Sequence, residues 1–186
     1  MFEGQRIIPA ISTHQNLKKF LKLPLKYGIL MNFQLAQLED LVKAMHQHDK
    51  KVLIHSELIR GLSADEYGAI FLAQTLKVDG IISSKPKVID VCKKRDIIGI
   101  MRLFLKDTHS LKQSIAMVQN TVPECIEVLP AVNTDLVKTI KKYVSSQVLL
   151  GGLIQSETYL RQCLDAGACA VTTSKVALWN IQFNKE

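Results

Sequence analysis

Eight short apolar runs punctuate the chain, at residues 6–12, 27–32, 51–57, 80–85, 97–105, 125–129, 147–154 and 169–174. They are rich in Ile, Val and Leu and mostly continuous rather than alternating. That is the pattern of strands buried on both faces of a parallel sheet. Amphipathic stretches lie between them. Leu35, Leu38, Leu41, Val42 and Met45 recur at helical spacing, with Glu39, Asp40 and Lys43 on the other side. Tyr67, Ile70, Phe71 and Gln74 follow a Ser-Ala-Asp-Glu stretch of capping-box form that starts at Ser63. Leu111, Ile115 and Val118 follow Thr108, and Leu136, Ile140 and Tyr143 follow Asn133 or Thr134. Tyr159, Leu160, Cys163 and Leu164 follow Ser156, and Gly167 closes that helix.

The predicted strands start roughly 18–28 residues apart, about the length of one strand-helix unit. Regular alternation of this kind specifies an α/β fold with a parallel sheet. Eight units without a break predict a (βα)8 TIM-type barrel. No Gly/Ser/Pro linker divides the chain, so the expectation is a single compact domain over residues 1–186. The usual barrel takes ~250 residues, so the loops must be short. A doubly wound open sheet is the alternative topology.

Composition narrows the class further. Hydrophobic residues make up 47% and charged residues 22%, which is globular rather than disordered. No run of 18 apolar residues occurs and the first residues lack a secretory pattern, so a cytoplasmic protein without a membrane span is expected. Cys92, Cys125, Cys163 and Cys169 form no C-x-x-C pair and read as reduced thiols. His46 and His48 have no cysteine near, so no metal site is expected. The net charge of +7 suits an anionic ligand or a nucleic acid, or only solubility. No RNA-binding signature is present, and the RNA-contacting residues are not identifiable from the pattern.

In a barrel of this type the site lies at the C-terminal ends of the strands. The seventh run ends Leu-Leu-Gly-Gly-Leu-Ile. The eighth ends Val-Thr-Thr-Ser-Lys and leads into a short predicted helix at residues 176–183. Gly151, Gly152, Thr173 and Ser174 therefore form a candidate phosphate site. Glycine lets backbone N–H groups approach an anion, hydroxyls add donors, and a helix N-terminus favours negative charge. The competing reading is a tight strand exit and a helix cap. His55 and Glu57 share parity on the third run, Lys85 ends the fourth, Arg102 sits in the fifth and Glu127 in the sixth. These five are candidate polar contacts to a ligand. They also admit catalysis, with Glu127 as base and Lys85 as Schiff-base former, or a buried Arg102–Glu127 pair that holds the barrel. Trp179 reads as a core plug.

Several segments together resemble one family. They are residues 55–68 (HSELIRGLSADEYG), 79–84 (DGIISS), 102–105 (RLFL), 126–130 (IEVLP), 151–154 (GGLI) and 170–174 (AVTTS), with Leu178-Trp179. The combination is similar to the glycerol-3-phosphate-responsive antiterminators, regulators of glycerol uptake operons. The resemblance covers nearly the whole chain. It implies a barrel that acts as a regulator rather than an enzyme. Glycerol 3-phosphate would be its effector, with no other cofactor, and the leader mRNA of a glycerol-metabolism operon its target. A homo-oligomer is compatible with it. Two positions depart from the family pattern: Glu57 stands where Asp is usual, and Ala131 where Gly is usual. The first lengthens an acid near the pocket, and the second removes backbone freedom from a loop. A sugar-phosphate isomerase or aldolase-like enzyme is the alternative function, and an interaction scaffold on a relic barrel is a third.

Overall fold

A computed structural model describes residues 1–183. The last three residues of the expected 1–186 domain lie outside the described residues. Strands β1 (Ile7–Ile11), β2 (Tyr27–Leu30), β3 (Lys51–His55), β4 (Gly80–Ser83), β5 (Ile98–Phe104), β6 (Cys125–Leu129), β7 (Gln147–Gly151) and β8 (Ala170–Thr173) pair in sequence order. All pairs are parallel, and β8 returns to β1 to close the barrel. The connecting helices are α1 (His14–Leu21), α2 (Leu38–Gln47), α3 (Glu66–Ile70), α4 (Pro86–Lys94), α5 (Thr108–Thr121), α6 (Asp135–Lys141) and α7 (Glu157–Asp165). The open-sheet alternative is thereby excluded. No helix among the described residues is long and apolar enough to cross a membrane.

Local chemistry sets the helix ends. Ser156 caps α7, its Oγ accepting from the Tyr159 N–H, and Gly167 adopts φ +102° beyond its end, as the sequence predicts. The α3 start differs. Asp65, not Ser63, is the cap: its carboxylate accepts from the Tyr67 and Gly68 N–H groups, and the Ser63 hydroxyl donates to that carboxylate. A charged carboxylate oxygen outcompetes a neutral hydroxyl for these amides. In α5 the cap is Asp107, one residue before the expected Thr108.

Two apolar clusters follow from strand alternation. Outward strand residues pack against the helices, with Ile54, Ile81 and Val171 meeting Leu38, Val88 and Leu160 in one continuous cluster. Inward residues Ile8, Ile29, Leu53, Ile82, Ile100, Cys125, Leu149 and Ala170 fill the barrel. Phe2 closes the N-terminal end, packed edge-on against Tyr27 at 5.4 Å. The interior is therefore sealed at one end, and the other end must supply any ligand access. Cys92, Cys125 and Cys163 are buried and Cys169 is half-buried, all as free thiols.

The eighth unit departs from expectation. Only a three-residue 3-10 turn, Val176–Leu178, follows β8, instead of a helix over 176–183. Trp179 is buried, and its indole N–H donates to the Thr173 carbonyl at 3.0 Å. Anchoring the indole there ends the turn, so little helix dipole reaches the phosphate candidate.

Candidate functional site

Moving two residues up six of the strands from the filled interior layer reaches Ala10, Met31, His55, Arg102, Glu127 and Thr172. All six line a cavity of about 210 Å³ at the C-terminal mouth of the barrel. It exceeds the roughly 150 Å³ that holds a benzene-sized guest and falls short of the ~300 Å³ at which drug-sized pockets begin. A small polar metabolite fits that range. Gly152, Leu153, Ile154 and Gln155 from the loop after β7, and Thr173, Ser174 and Lys175 from the end of β8, complete one wall.

That wall is rich in free donors. The N–H groups of Gly152, Leu153, Ile154 and Gln155, and that of Ser174, donate to no acceptor among the described residues. Gly152 and Leu153 adopt φ +75° and +59°, two successive left-handed residues that turn the chain away from the β7 ladder. The Lys175 ammonium lies across the mouth and donates to the Gln155 carbonyl. Five amides and one ammonium around one opening are donors of the kind that can receive an anion.

The floor is polar and strained in charge. Glu127 is buried and accepts from the Thr172 hydroxyl at 2.6 Å. Burial raises its carboxyl above the ordinary range, against the opposing pull of Thr172 and Arg102. Arg102 and Glu127 are register partners, yet no ion pair joins them among the described residues, so the barrel-holding pair does not form. Arg102 instead lays its guanidinium over Phe104 at 4.4 Å, and its Nε has no partner among the described residues. His55 is buried, and neither ring nitrogen has a hydrogen-bond partner among the described residues. Burial and then the Arg102 charge lower its pKa to about 4, against the influence of Glu57, so the ring is neutral. Unpaired polar atoms at such burial are rare and costly, and here they converge on one cavity.

Gly151 has a different task from the one its sequence context suggests. It stands at the end of β7 behind the cavity wall. A Cβ there would lie 2.2 Å from Thr172 Oγ1 and 2.9 Å from Glu127 Oε1. The residue makes room for the Thr172–Glu127 hydrogen bond. Gly151→Ala should cost about 2 kcal/mol of stability through overpacking, measured by urea unfolding.

Glu57 and Lys85 are not brought to the cavity. The strand β3 ends at His55, and Glu57 sits in a 3-10 turn, Ser56–Leu58, so the shared parity is lost. Its carboxylate accepts from the Ser84 N–H at 2.8 Å, Ser84 Oγ at 2.6 Å and Ser83 Oγ at 3.1 Å. Burial works to raise its pKa, but the Ser84 hydrogen bonds outweigh it and hold the acid below its ordinary value. It stands 4.0 Å from His55 Nδ1, one step behind the cavity wall. Lys85 caps α4 and lines a separate shallow recess with Asp65, Glu66 and Tyr67. The Schiff-base candidate is therefore remote from Glu127. Among the described residues no group of three or more His, Cys, Asp or Glu is placed to hold a metal ion.

A family model described as glycerol-3-phosphate responsive antiterminator matches residues 7–179. The chain belongs to this family. It is 36% identical to the glycerol uptake operon antiterminator regulatory protein from Listeria monocytogenes str. 4b F2365, with a TM-score of 0.92 over 96% of both chains. A glycerol uptake operon antiterminator-related protein from Thermotoga maritima MSB8 shares 26% identity at a TM-score of 0.85, over 97% of this chain and 100% of that one. A curated relative, the uncharacterized protein YgcP of Escherichia coli (strain K12), is 25% identical over 94% of this chain and 92% of its own. A deoxyribose phosphate aldolase from Aeropyrum pernix shares the barrel at 12% identity and a TM-score of 0.70, over 92% of this chain and 86% of that one.

The two departures of this chain from its family pattern have structural readings. Glu57 reaches the end of β4 rather than further into the pocket. Ala131 is buried, has no positive φ, and donates its N–H to the Gly151 carbonyl at 2.8 Å. The backbone freedom of glycine is not required there, so the alanine carries no conformational penalty.

Proposed function

We propose that this protein is a glycerol-3-phosphate-responsive regulator that binds the leader mRNA of a glycerol-metabolism operon in the cytoplasm and carries no enzymatic activity. The observation that carries the effector assignment is the unpaired run of amides from Gly152 to Gln155, with Ser174 and Lys175, at the mouth of a small polar cavity. The phosphate occupies that wall, with the Thr173 and Ser174 hydroxyls adding donors. The glycerol hydroxyls face His55, Arg102 and Glu127. A neutral imidazole offers one donor and one acceptor, Glu127 accepts, and Arg102 donates, which matches a diol. Glu57 acts from behind by holding the end of β4 next to His55.

The effector must favour one state of the protein over another, or it can shift nothing. RNA affinity should therefore rise when glycerol 3-phosphate is added, and should fall steeply with salt because phosphate contacts release counterions. A gel shift with the leader RNA, with and without effector, tests this. Equal binding in both lanes removes the gating, and no binding in either removes the RNA role. The Schiff-base form of the enzyme reading lacks its lysine, because Lys85 lies outside the cavity that holds Glu127.

A further inference from the structure

The barrel mouth carries an apolar edge that folding does not explain. Phe104 at the end of β5 is 49% exposed, Val132 in the loop after β6 is 60% exposed, and Leu153 in the loop after β7 is 65% exposed. These loops are neighbours. Phe104 is the register partner of Leu129, Val132 lies three residues beyond, and the turn at Gly152 sits against Leu129 and Pro130. The three side chains thus follow one arc of the rim beside the effector cavity. Surface apolar residues scattered singly need no explanation, but an aromatic and two aliphatics on adjacent loops form a patch.

The charge at the Phe104 end of this arc is positive. The Arg102 guanidinium covers one side of Phe104. Lys106, two residues on and exposed, makes no ion pair among the described residues. The adjacent Asp107 is occupied by its cap on α5, where its carboxylate accepts from the Ser110 N–H at 2.7 Å. The Glu157 carboxylate is likewise engaged by Arg161 at 2.7 Å. An exposed aromatic ring flanked by an arginine plane and an unpaired lysine is the chemistry that takes an unstacked base and its phosphate.

We propose that this rim is the single-stranded RNA-binding surface, with Phe104 as the base-stacking platform and Lys106 as a phosphate contact. The proposal rests on the RNA-binding regulator reading above. It adds where the RNA sits and why the effector is felt there. Arg102 belongs to both sites: it lines the cavity and stacks on Phe104. An anion entering the cavity attracts the same guanidinium that covers the ring, so the two ligands are linked through one side chain.

The test is RNA affinity by fluorescence anisotropy in saturating glycerol 3-phosphate, on the full chain. Phe104→Ala should weaken binding about tenfold, and Phe104→Trp should restore it, since loss of a stacking base is costly and any aromatic face serves. Lys106→Gln should lower the slope of log affinity against log salt by about 0.7. Tyr143→Ala is the control. Tyr143 is also exposed but lies just past the C-terminal end of α6, toward the closed end of the barrel, and its variant should bind as the wild type does. Wild-type affinity in Phe104→Ala, or an equal loss in Tyr143→Ala, overturns the surface. A change of oligomeric mass in Phe104→Ala with RNA affinity intact also overturns it and makes the rim an assembly contact. A wild-type protein that binds no leader RNA at all defeats the regulator reading instead, and the two failures are thus distinct.

Discussion

As pH falls from 6.5 toward 4, the protein is expected to lose about 3 kcal/mol of stability through His55 alone. The ring has an ordinary pKa of 6.5 when exposed and about 4 when folded. Above 6.5 it is neutral in both states and contributes nothing to the pH dependence. Below 6.5 the unfolded chain takes up the proton and the folded one does not, so stability falls until the folded value is reached. Each pKa unit corresponds to about 1.36 kcal/mol. Glu127 has the opposite tendency, since its raised pKa favours the folded state on the acid side. A comparison with His55→Leu separates the two. Leucine loses no hydrogen bond, because neither ring nitrogen has one. Urea unfolding at pH 7 and pH 4.5 should show the wild type losing stability relative to His55→Leu. Parallel pH profiles in the two proteins would show that the imidazole is not buried neutral.

The same burial explains why this residue was visible in the sequence. His55, Arg102 and Glu127 interrupt apolar strands, and polar residues on strands require a reason. Strand parity then places all three in one inward layer. Parity fails where the strand stops. The apolar run continues past His55 to Glu57 and past Ser83 to Lys85, but the ladder ends at His55 and Ser83. Beyond those points a 3-10 turn and a helix cap set side-chain direction, and neither is readable from alternation. Likewise, the apolar residues after Lys175 suggested a helix, whereas the Trp179 indole bond to Thr173 halts the turn. Lys175 and the amides of residues 153–155 escaped because a free N–H is a property of tertiary arrangement. Only the neighbouring Gly-Gly and Thr-Thr-Ser signals pointed toward them. Phe104 escaped for the inverse reason: within an apolar run its exposure cannot be read.

Glycerol 3-phosphate at a hundred times its dissociation constant should stabilise the wild type by about 2.7 kcal/mol. For a chain of this size about 1 kcal/mol moves the melting temperature by ~2–4 °C, so the rise should be about 5–10 °C. Lys175→Ala removes one charge-assisted hydrogen bond to the phosphate, worth about 1.5–3 kcal/mol. At the same effector concentration the affinity loss leaves about 0.3–1.3 kcal/mol of stabilisation. The apo protein should be little affected, because Lys175 is exposed and, among the described residues, its ammonium bonds only a loop carbonyl. Gly152→Val acts on the amides themselves. Valine resists the φ of +75°, so the turn that frees the Leu153 and Ile154 N–H groups is strained at a cost of about 1–2 kcal/mol. The effector-induced rise should shrink in both variants. Thermal unfolding with inorganic phosphate and with glycerol as separate additions divides the contributions: phosphate should protect partially and lose its effect in Lys175→Ala. If glycerol 3-phosphate raises the melting temperature of Lys175→Ala and Gly152→Val as much as that of the wild type, the anion is held elsewhere and the amide wall is not its receptor.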